Sequence, residues 1–299
     1  MKRIDRPYFE GWYFKISNGT QTLAFIPSYH VAAGGKLTAF LQIITGEKSW
    51  QIQIAPELLP RMFSGRGCRV ALHAPVKLRA RLKFGPFTPL SYDIMGPFKY
   101  VPFMQCRHGV FSLMHRVDGT VVIDGERFEF RDGIGYIEGD RGVSFPKKYL
   151  WTQYNDHEAC VMIAAATIPF LFRGFTGCLG VVYVHGRQYR LATYLGARVV
   201  CAGPSYVELR QGKYTLTARM LDGGAAAQQN DQPAGRPANG GAQGLYAPEC
   251  GQMTRVIHEN IACRVHYRFM EKERVIYECV GQNASFESDI LKNKQIPQD

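Results

Sequence analysis

The chain lacks any run of about 18 apolar residues, and its opening segment MKRIDRPYFEGWY has no apolar stretch of the kind a secretory leader carries. Neither a membrane-spanning helix nor a signal peptide is therefore expected, which points to the cytoplasm. Cysteine motifs are also missing. The eight cysteines, at 68, 106, 160, 178, 201, 250, 263 and 279, stand singly inside apolar stretches with no CxxC and no adjacent Cys/His cluster. Buried free thiols in a reducing compartment fit that pattern better than disulfides or zinc. No Walker loop, GxGxxG, HExxH or GxSxG is present, which removes the usual nucleotide, dinucleotide, zinc-protease and serine-hydrolase readings. The eight histidines show no metal-ligand spacing, so His30, His108 and His115 read as strand or loop residues, and neither a metal nor an organic cofactor is expected. His108 and His115 differ by an odd number, which puts them on opposite faces of a regular strand.

Acidic residues are absent from one long stretch. Between Arg61 and Lys83 there are seven basic residues and no carboxylate, within a chain of net charge +11. Strict alternation in Val76–Phe84 puts Lys77, Arg79, Arg81 and Lys83 on one face and apolar side chains on the other. The plain reading is a solvated strand face guarded by cations. The sharper reading is peripheral contact with an anionic membrane at its inner face. Nucleic acid is not expected as a partner, because no aromatics are interleaved with these cations for base stacking.

Long helical periodicity is missing as well; the best short candidates lie around residues 56–61 and in the C-terminal tail. What fills the chain instead is β signal. With 299 residues and 46% hydrophobic composition it can bury a large core. Residues 109–136 read as a meander turned at Asp118-Gly119, Asp124-Gly125 and Asp132-Gly133, dipeptides that supply the positive φ of tight hairpins. Alternating runs recur at 38–44, 51–54, 180–185, 189–194, 214–220, 261–269 and 274–280. The fold class is therefore all-β, with antiparallel barrels or sandwiches. Residues 222–244, rich in Gly, Ala, Gln and Pro, read as a flexible loop between strands.

A weak duplication suggests two similar β domains, 1–145 and 146–299. The turn at Gly46-Glu47-Lys48 is echoed at Gly186-Arg187-Gln188, the run from Lys77 by that from Tyr214, and Glu138 by Glu287. The chemistry-bearing residues cluster in YFEGWYFK (8–15) and in YIEGDRGVSFPKKYLWTQYN (136–155). Both read as strands, yet both carry carboxylates or amides where a plain structural strand would carry aliphatics. Glu138 and Asp140 share a face if their strand is regular, as do Trp151, Gln153 and Asn155 in the next. Asp140 also has Arg141 and Lys147 nearby for an ordinary ion pair. Glu10, between Phe9 and Trp12, is a candidate general acid if it points inward, since desolvation raises a carboxyl pKa; pointing outward it is a surface charge. Gly11 beside it suggests a close backbone approach or a bulge.

These residues also carry a family resemblance. EGWYFK, then Tyr136-x-Glu138, Gly142-x-Ser144-Phe145-Pro146 and Trp151-x-Gln153-x-Asn155, resemble the tocopherol cyclase family across most of the chain, from Tyr8 to about Glu287. The resemblance extends more distantly to carotenoid hydratases and lipocalin-like pericyclases. It implies two lipocalin-like domains, a hydrophobic small-molecule ligand held between or within them, and no cofactor. The implied reaction protonates an alkene of an isoprenoid or other apolar substrate, leading to cyclisation, hydration or isomerisation; the alternative is a lipocalin-like protein that binds without chemistry. Glu10, Glu138 and Asp140 could supply the acid, Trp12, Tyr13 and Trp151 the cation-facing rings, and Gln153 and Asn155 the hydrogen bonds to ring oxygens. Where that family has Lys-Asn-Trp after its glutamate, this chain has Gly139-Asp140-Arg141, exchanging an aromatic face for charge.

Overall fold

A computed structural model describes residues 6–102, 104–170, 173–222 and 243–289. The chain divides into two compact units. The first comprises Met1–Leu90, Phe103–Phe145 and Leu245–Val256; the second comprises Ser91–Pro102, Pro146–Gly244 and Ile257–Asp299.

The first unit carries β1 (Tyr8–Ser17), β2 (Thr22–Val31), β3 (Leu37–Thr45), β4 (Ser49–Ile54), β5 (Phe63–Ser64), β6 (Gly67–Leu72), β7 (Leu78–Phe84), β8 (Cys106–Ile123) and β9 (Glu126–Gly142). These form one nine-stranded sheet in the order β4-β3-β2-β1-β9-β8-β7-β6-β5, and every pairing is antiparallel. The second sheet carries β10 (Tyr149–Asn155), β11 (Ala159–Phe170), β12 (Arg173–Val184), β13 (Arg187–Ala192), β14 (Arg198–Gly203), β15 (Tyr206–Gln211), β16 (Tyr214–Met220), β17 (Gln243–Glu249), β18 (Gln252–Glu271) and β19 (Arg274–Asp289), and all of it lies in the second unit except Leu245–Val256, the larger part of β17 and the start of β18. Its order, β13-β12-β11-β10-β19-β18-β16-β15-β14 with β17 beside β18, repeats the first sheet position for position. β1 thus corresponds to β10, and β9 to β19. Both are curled antiparallel sheets of the lipocalin-like kind, each forming a half-barrel.

Each sheet curls around an apolar core set by alternation. In the first, Phe14, Ile16, Leu23, Phe25, Leu41, Ile43 and Phe84 are buried together, and the Phe14 ring packs 5.2 Å from Phe63 and 6.1 Å from Phe84. In the second, Leu150, Val161, Leu209, Leu216, Tyr267 and Phe269 do the same. The cationic strand is as expected: β7 alternates buried and exposed from Leu78 to Phe84, with Arg79, Arg81 and Lys83 outward. The segment Leu245–Val256 is bonded into the first unit by Gln42 Nε2 donating to the Tyr246 carbonyl (2.9 Å) and the Phe145 N–H donating to Pro248 (3.0 Å). In the second unit Arg190 clamps the 91–102 segment, donating to the carbonyls of Tyr92 and Asp93 (both 2.8 Å) with its guanidinium 3.5 Å from the Tyr92 ring centre.

Only one of the three Asp-Gly dipeptides in 109–136 is a hairpin turn. Asp124-Gly125 joins β8 to β9, whereas Asp118-Gly119 and Asp132-Gly133 lie inside those strands, 18 and 17 residues long. The positive φ is present at Asp132 (56°) and Gly119 (140°), but it bends the two strands together where the register shifts between Val117 and Gly119. The Asp132 N–H donates to the Asp118 carboxylate across that bend (2.9 Å). A Cβ at Gly119 would strike the Arg81 carbonyl, so Gly119→Ala should cost about 1–3 kcal/mol of stability in urea unfolding. An unchanged midpoint would show that the bend is not constrained.

The short helical candidate at 56–61 is present as a 3-10 turn (Pro56–Leu58) leading into one α turn (Leu59–Met62). The tail candidate beyond residue 289 and the expected loop from 223 to 242 lie outside the described residues. All eight cysteines are free thiols, five of them buried and Cys250 exposed. No described helix is long and apolar enough to cross a membrane.

Candidate functional site

The register of β1, β9 and β8 decides which of the candidate residues meet. Tyr13 lies opposite Glu138, Gly11 opposite Asp140, and Asp140 opposite His108. Directly paired residues share a face, as do residues two apart. Tyr13, Lys15, Tyr136, Glu138, Asp140 and His108 therefore stand on one side of the sheet, and Trp12, Phe14 and Ile137 face the aliphatic core on the other. The expected common face of Glu138 and Asp140 is present.

Glu10 falls on the core side with Trp12. It pairs laterally with Arg141 and Tyr29, accepts a hydrogen bond from the Tyr8 hydroxyl (3.1 Å), and is half-buried. Burial, followed by the Glu10 charge, pushes the Tyr8 phenol up to about 12 and raises that of Tyr29. Trp12 meets Tyr29 edge to face at 6.2 Å. Gly11 makes no bulge, since the pairing is regular through it; it permits close approach, a Cβ there lying 3.2 Å from that of Ser28. The sheet thus separates Glu10 and Trp12 from Tyr13, Glu138 and Asp140.

On the face away from the core, Glu138 is 6% exposed, Tyr136 is fully buried and Lys15 is 2% exposed. The Tyr136 hydroxyl donates to Glu138 Oε2 at 2.6 Å, a geometry that a strand gives to any tyrosine two residues from a carboxylate. His108 stands between the two acids, with Nδ1 3.1 Å from Asp140 Oδ1 and Nε2 3.5 Å from Glu138 Oε2. With Asp140 as acceptor the Nδ1 nitrogen is the donor, and Nε2 is the ring atom turned toward Glu138. Asp140 is also the acceptor for Cys106 Sγ (3.5 Å), not the partner of Arg141, which alternation puts on the other face. Burial first, then the Asp140 charge and hydrogen bond, raises the Cys106 thiol well above its ordinary range, so Cys106 is a donor and not a thiolate nucleophile.

Sequence reasoning set His108 aside. No local spacing could have joined it to residues 138 and 140; only the β8–β9 pairing does so. The ligand atoms of His108, Glu138 and Asp140 lie within 4.8 Å of one another, so one imidazole nitrogen and two carboxylate oxygens could also take a divalent cation. His115, on the other face as its odd spacing predicts, is buried among Phe84 (5.0 Å) and Phe87 (4.8 Å), and its Nδ1 meets Ser112 Oγ at 3.0 Å. Burial lowers its pKa to about 4, and burial does the same for His30.

The second unit has a corresponding wall. Tyr149, Trp151, Gln153 and Asn155 alternate to one side of β10, while Leu150 enters the core and Thr152 bonds the core Tyr267 hydroxyl (2.6 Å). Trp151 lies opposite Glu287, the echo of Glu138, and Glu287 lies opposite Glu259. Both carboxylates are buried, Tyr149 donates its hydroxyl to Glu287, and Gln153 Nε2 donates to Asn155 Oδ1 (3.0 Å). Glu259 carried no sequence signal, because it lies ahead of the alternating run at 261–269 that marks its strand.

No family model matches the sequence. Among solved structures the chain is similar to CghA crystallised with Sch210972, with a TM-score of 0.53 and 10% identity, covering 95% of this chain and 89% of that one. A second crystal structure of CghA is similar at a TM-score of 0.52 and 10% identity, covering 94% and 88%. At that identity the likeness concerns the fold alone.

Proposed function

We propose that this protein is a cofactor-independent acid–base catalyst that protonates an alkene of an apolar, unsaturated small molecule, with isoprenoids as the leading substrate class. The observation that carries this reading is the Asp140–His108–Glu138–Tyr136 chain, a proton-bearing group on a buried sheet face away from the aliphatic core. Carboxyl groups and imidazoles are the ordinary instruments of general acid–base catalysis, and a shift of a few tenths of an ångström, or one bridging water, would join His108 Nε2 to Glu138. In the proposed step the Glu138 carboxyl gives its proton to an alkene carbon. The resulting tertiary cation is captured by an internal hydroxyl, by water, or by loss of a neighbouring proton, giving cyclisation, hydration or isomerisation respectively. In each case a proton is released and returns to Glu138 through His108, whose ring Asp140 orients. Tyr13, directly opposite Glu138 and on the same face, is the candidate for a ring facing the cation.

The EGWYFK and Trp-x-Gln-x-Asn motifs support the tocopherol cyclase resemblance as a guide to substrate class. Trp151, Gln153 and Asn155 are proposed as ligand-binding residues of the second unit. The structure of CghA with Sch210972 supports looking for a ligand on this fold.

A second reading is a binding protein without chemistry. It is favoured by the internal satisfaction of these polar groups, since Tyr136–Glu138, Tyr149–Glu287 and Gln153–Asn155 bond one another. Mass spectrometry of the molecule that co-purifies with the protein, followed by incubation with a panel of prenyl quinols and polyenes, separates the two. Catalysis predicts a product isomeric with its substrate, or heavier by one water. Ligand recovered unchanged after many enzyme equivalents would establish the binding reading.

A further inference from the structure

The acid-free stretch noted in the sequence folds into a groove that the proposed catalysis does not use. Its volume is about 480 Å3, and it is lined by Arg61, Arg66, Arg69, Arg81 and Lys83. All five are exposed. The lone carboxylate on the lining, Asp118, is already held by the Arg116 guanidinium (2.8 Å) and by the Asp132 N–H (2.9 Å). Arg69 lies directly opposite Arg81 in the β6–β7 ladder, and the next residue in that row is Thr120. Like charges facing each other across a strand pair are destabilising, and the one acid on the lining, Asp118, lies opposite Lys83 and not opposite either arginine. The glycines at 67 and 119 leave the lining without side chains at two further points.

We infer that this groove is a binding site for a phosphate-type anion, carried either by the headgroup of an anionic phospholipid or by a free phosphorylated molecule. A cleft with this excess of guanidinium groups focuses potential and matches phosphate oxygens in bidentate geometry. Its volume is that of a small-molecule site and not of a single-ion niche. The apolar lining residues are Met62, Cys68 and Leu82, with no aromatic ring, so base stacking has no platform and nucleic acid is disfavoured.

The test uses the full chain and vesicles of phosphatidylcholine with or without phosphatidylglycerol in co-sedimentation, alongside calorimetry with inorganic pyrophosphate. Binding to the anionic vesicles, weakened by salt, is expected. The double variant Arg69→Ala/Arg81→Ala should lower affinity by roughly 25-fold, since each basic residue at an anionic surface contributes about a fivefold effect. Arg127→Ala/Arg131→Ala removes the same charge from exposed residues paired with Glu129, and should leave affinity unchanged. Vesicle binding with this pattern identifies the headgroup as the source, whereas pyrophosphate binding with the same arginine dependence and no vesicle binding identifies a free phosphate. Absence of both, equal losses in the two double variants, or arginine-dependent binding of a single-stranded oligonucleotide of comparable strength would overturn the inference.

Discussion

Glu138→Gln is expected to lower turnover by about 100- to 10,000-fold, the span that a positioned general acid contributes, while ligand affinity stays within a few-fold. The substitution is nearly isosteric, and the Gln carbonyl oxygen can still accept from Tyr136 (2.6 Å in the parent), so the fold should survive and the loss should fall on kcat. Asp140→Asn should have a smaller but diagnostic effect. It replaces the acceptor that fixes the proton on His108 Nδ1, so the pH profile should shift along with the rate. Glu10→Gln is the internal control, because Glu10 lies on the core side of the sheet with Tyr8 as its donor. If Glu10→Gln abolishes turnover and Glu138→Gln does not, the acid has been assigned to the wrong face.

Stability should fall steeply as pH drops from about 6.5 toward 4, and two buried histidines are the cause. His30 and His115 are 2% and 4% exposed, and burial lowers each pKa from 6.5 to about 4. Between those values the unfolded chain binds two protons that the folded chain excludes, so unfolding becomes easier as pH falls. The stability they contribute is complete above pH 6.5 and is withdrawn as pH approaches 4. The slope near pH 5 should reach about 2.7 kcal/mol per pH unit, and the total loss should be on the order of 6 kcal/mol. His30→Gln/His115→Gln should flatten that slope, as read from urea midpoints across the pH series. An equally steep slope in the double variant would move the cause to the carboxylates.

The β class and the alternation of β7 were legible because each rests on patterns within a few residues. Asp118-Gly119 and Asp132-Gly133 misled for a physical reason: the positive φ that closes a hairpin also bends a long strand, and only the partner strand distinguishes the two. The shared face of Glu138 and Asp140 followed from period two. Their meeting with His108 did not, since 32 residues and three register shifts in the β8–β9 pairing intervene. The same limit concealed the separation of Glu10 from Glu138, which depends on the β1–β9 register, and the pairing of Glu259 with Glu287.

Turnover in deuterium oxide tests the central claim most directly. Alkene protonation by Glu138, replenished from solvent through His108, predicts a cyclised, hydrated or isomerised product carrying one deuteron on carbon, formed by the parent protein and not by Glu138→Gln. A product free of carbon-bound deuterium, or equal incorporation by both proteins, would contradict it.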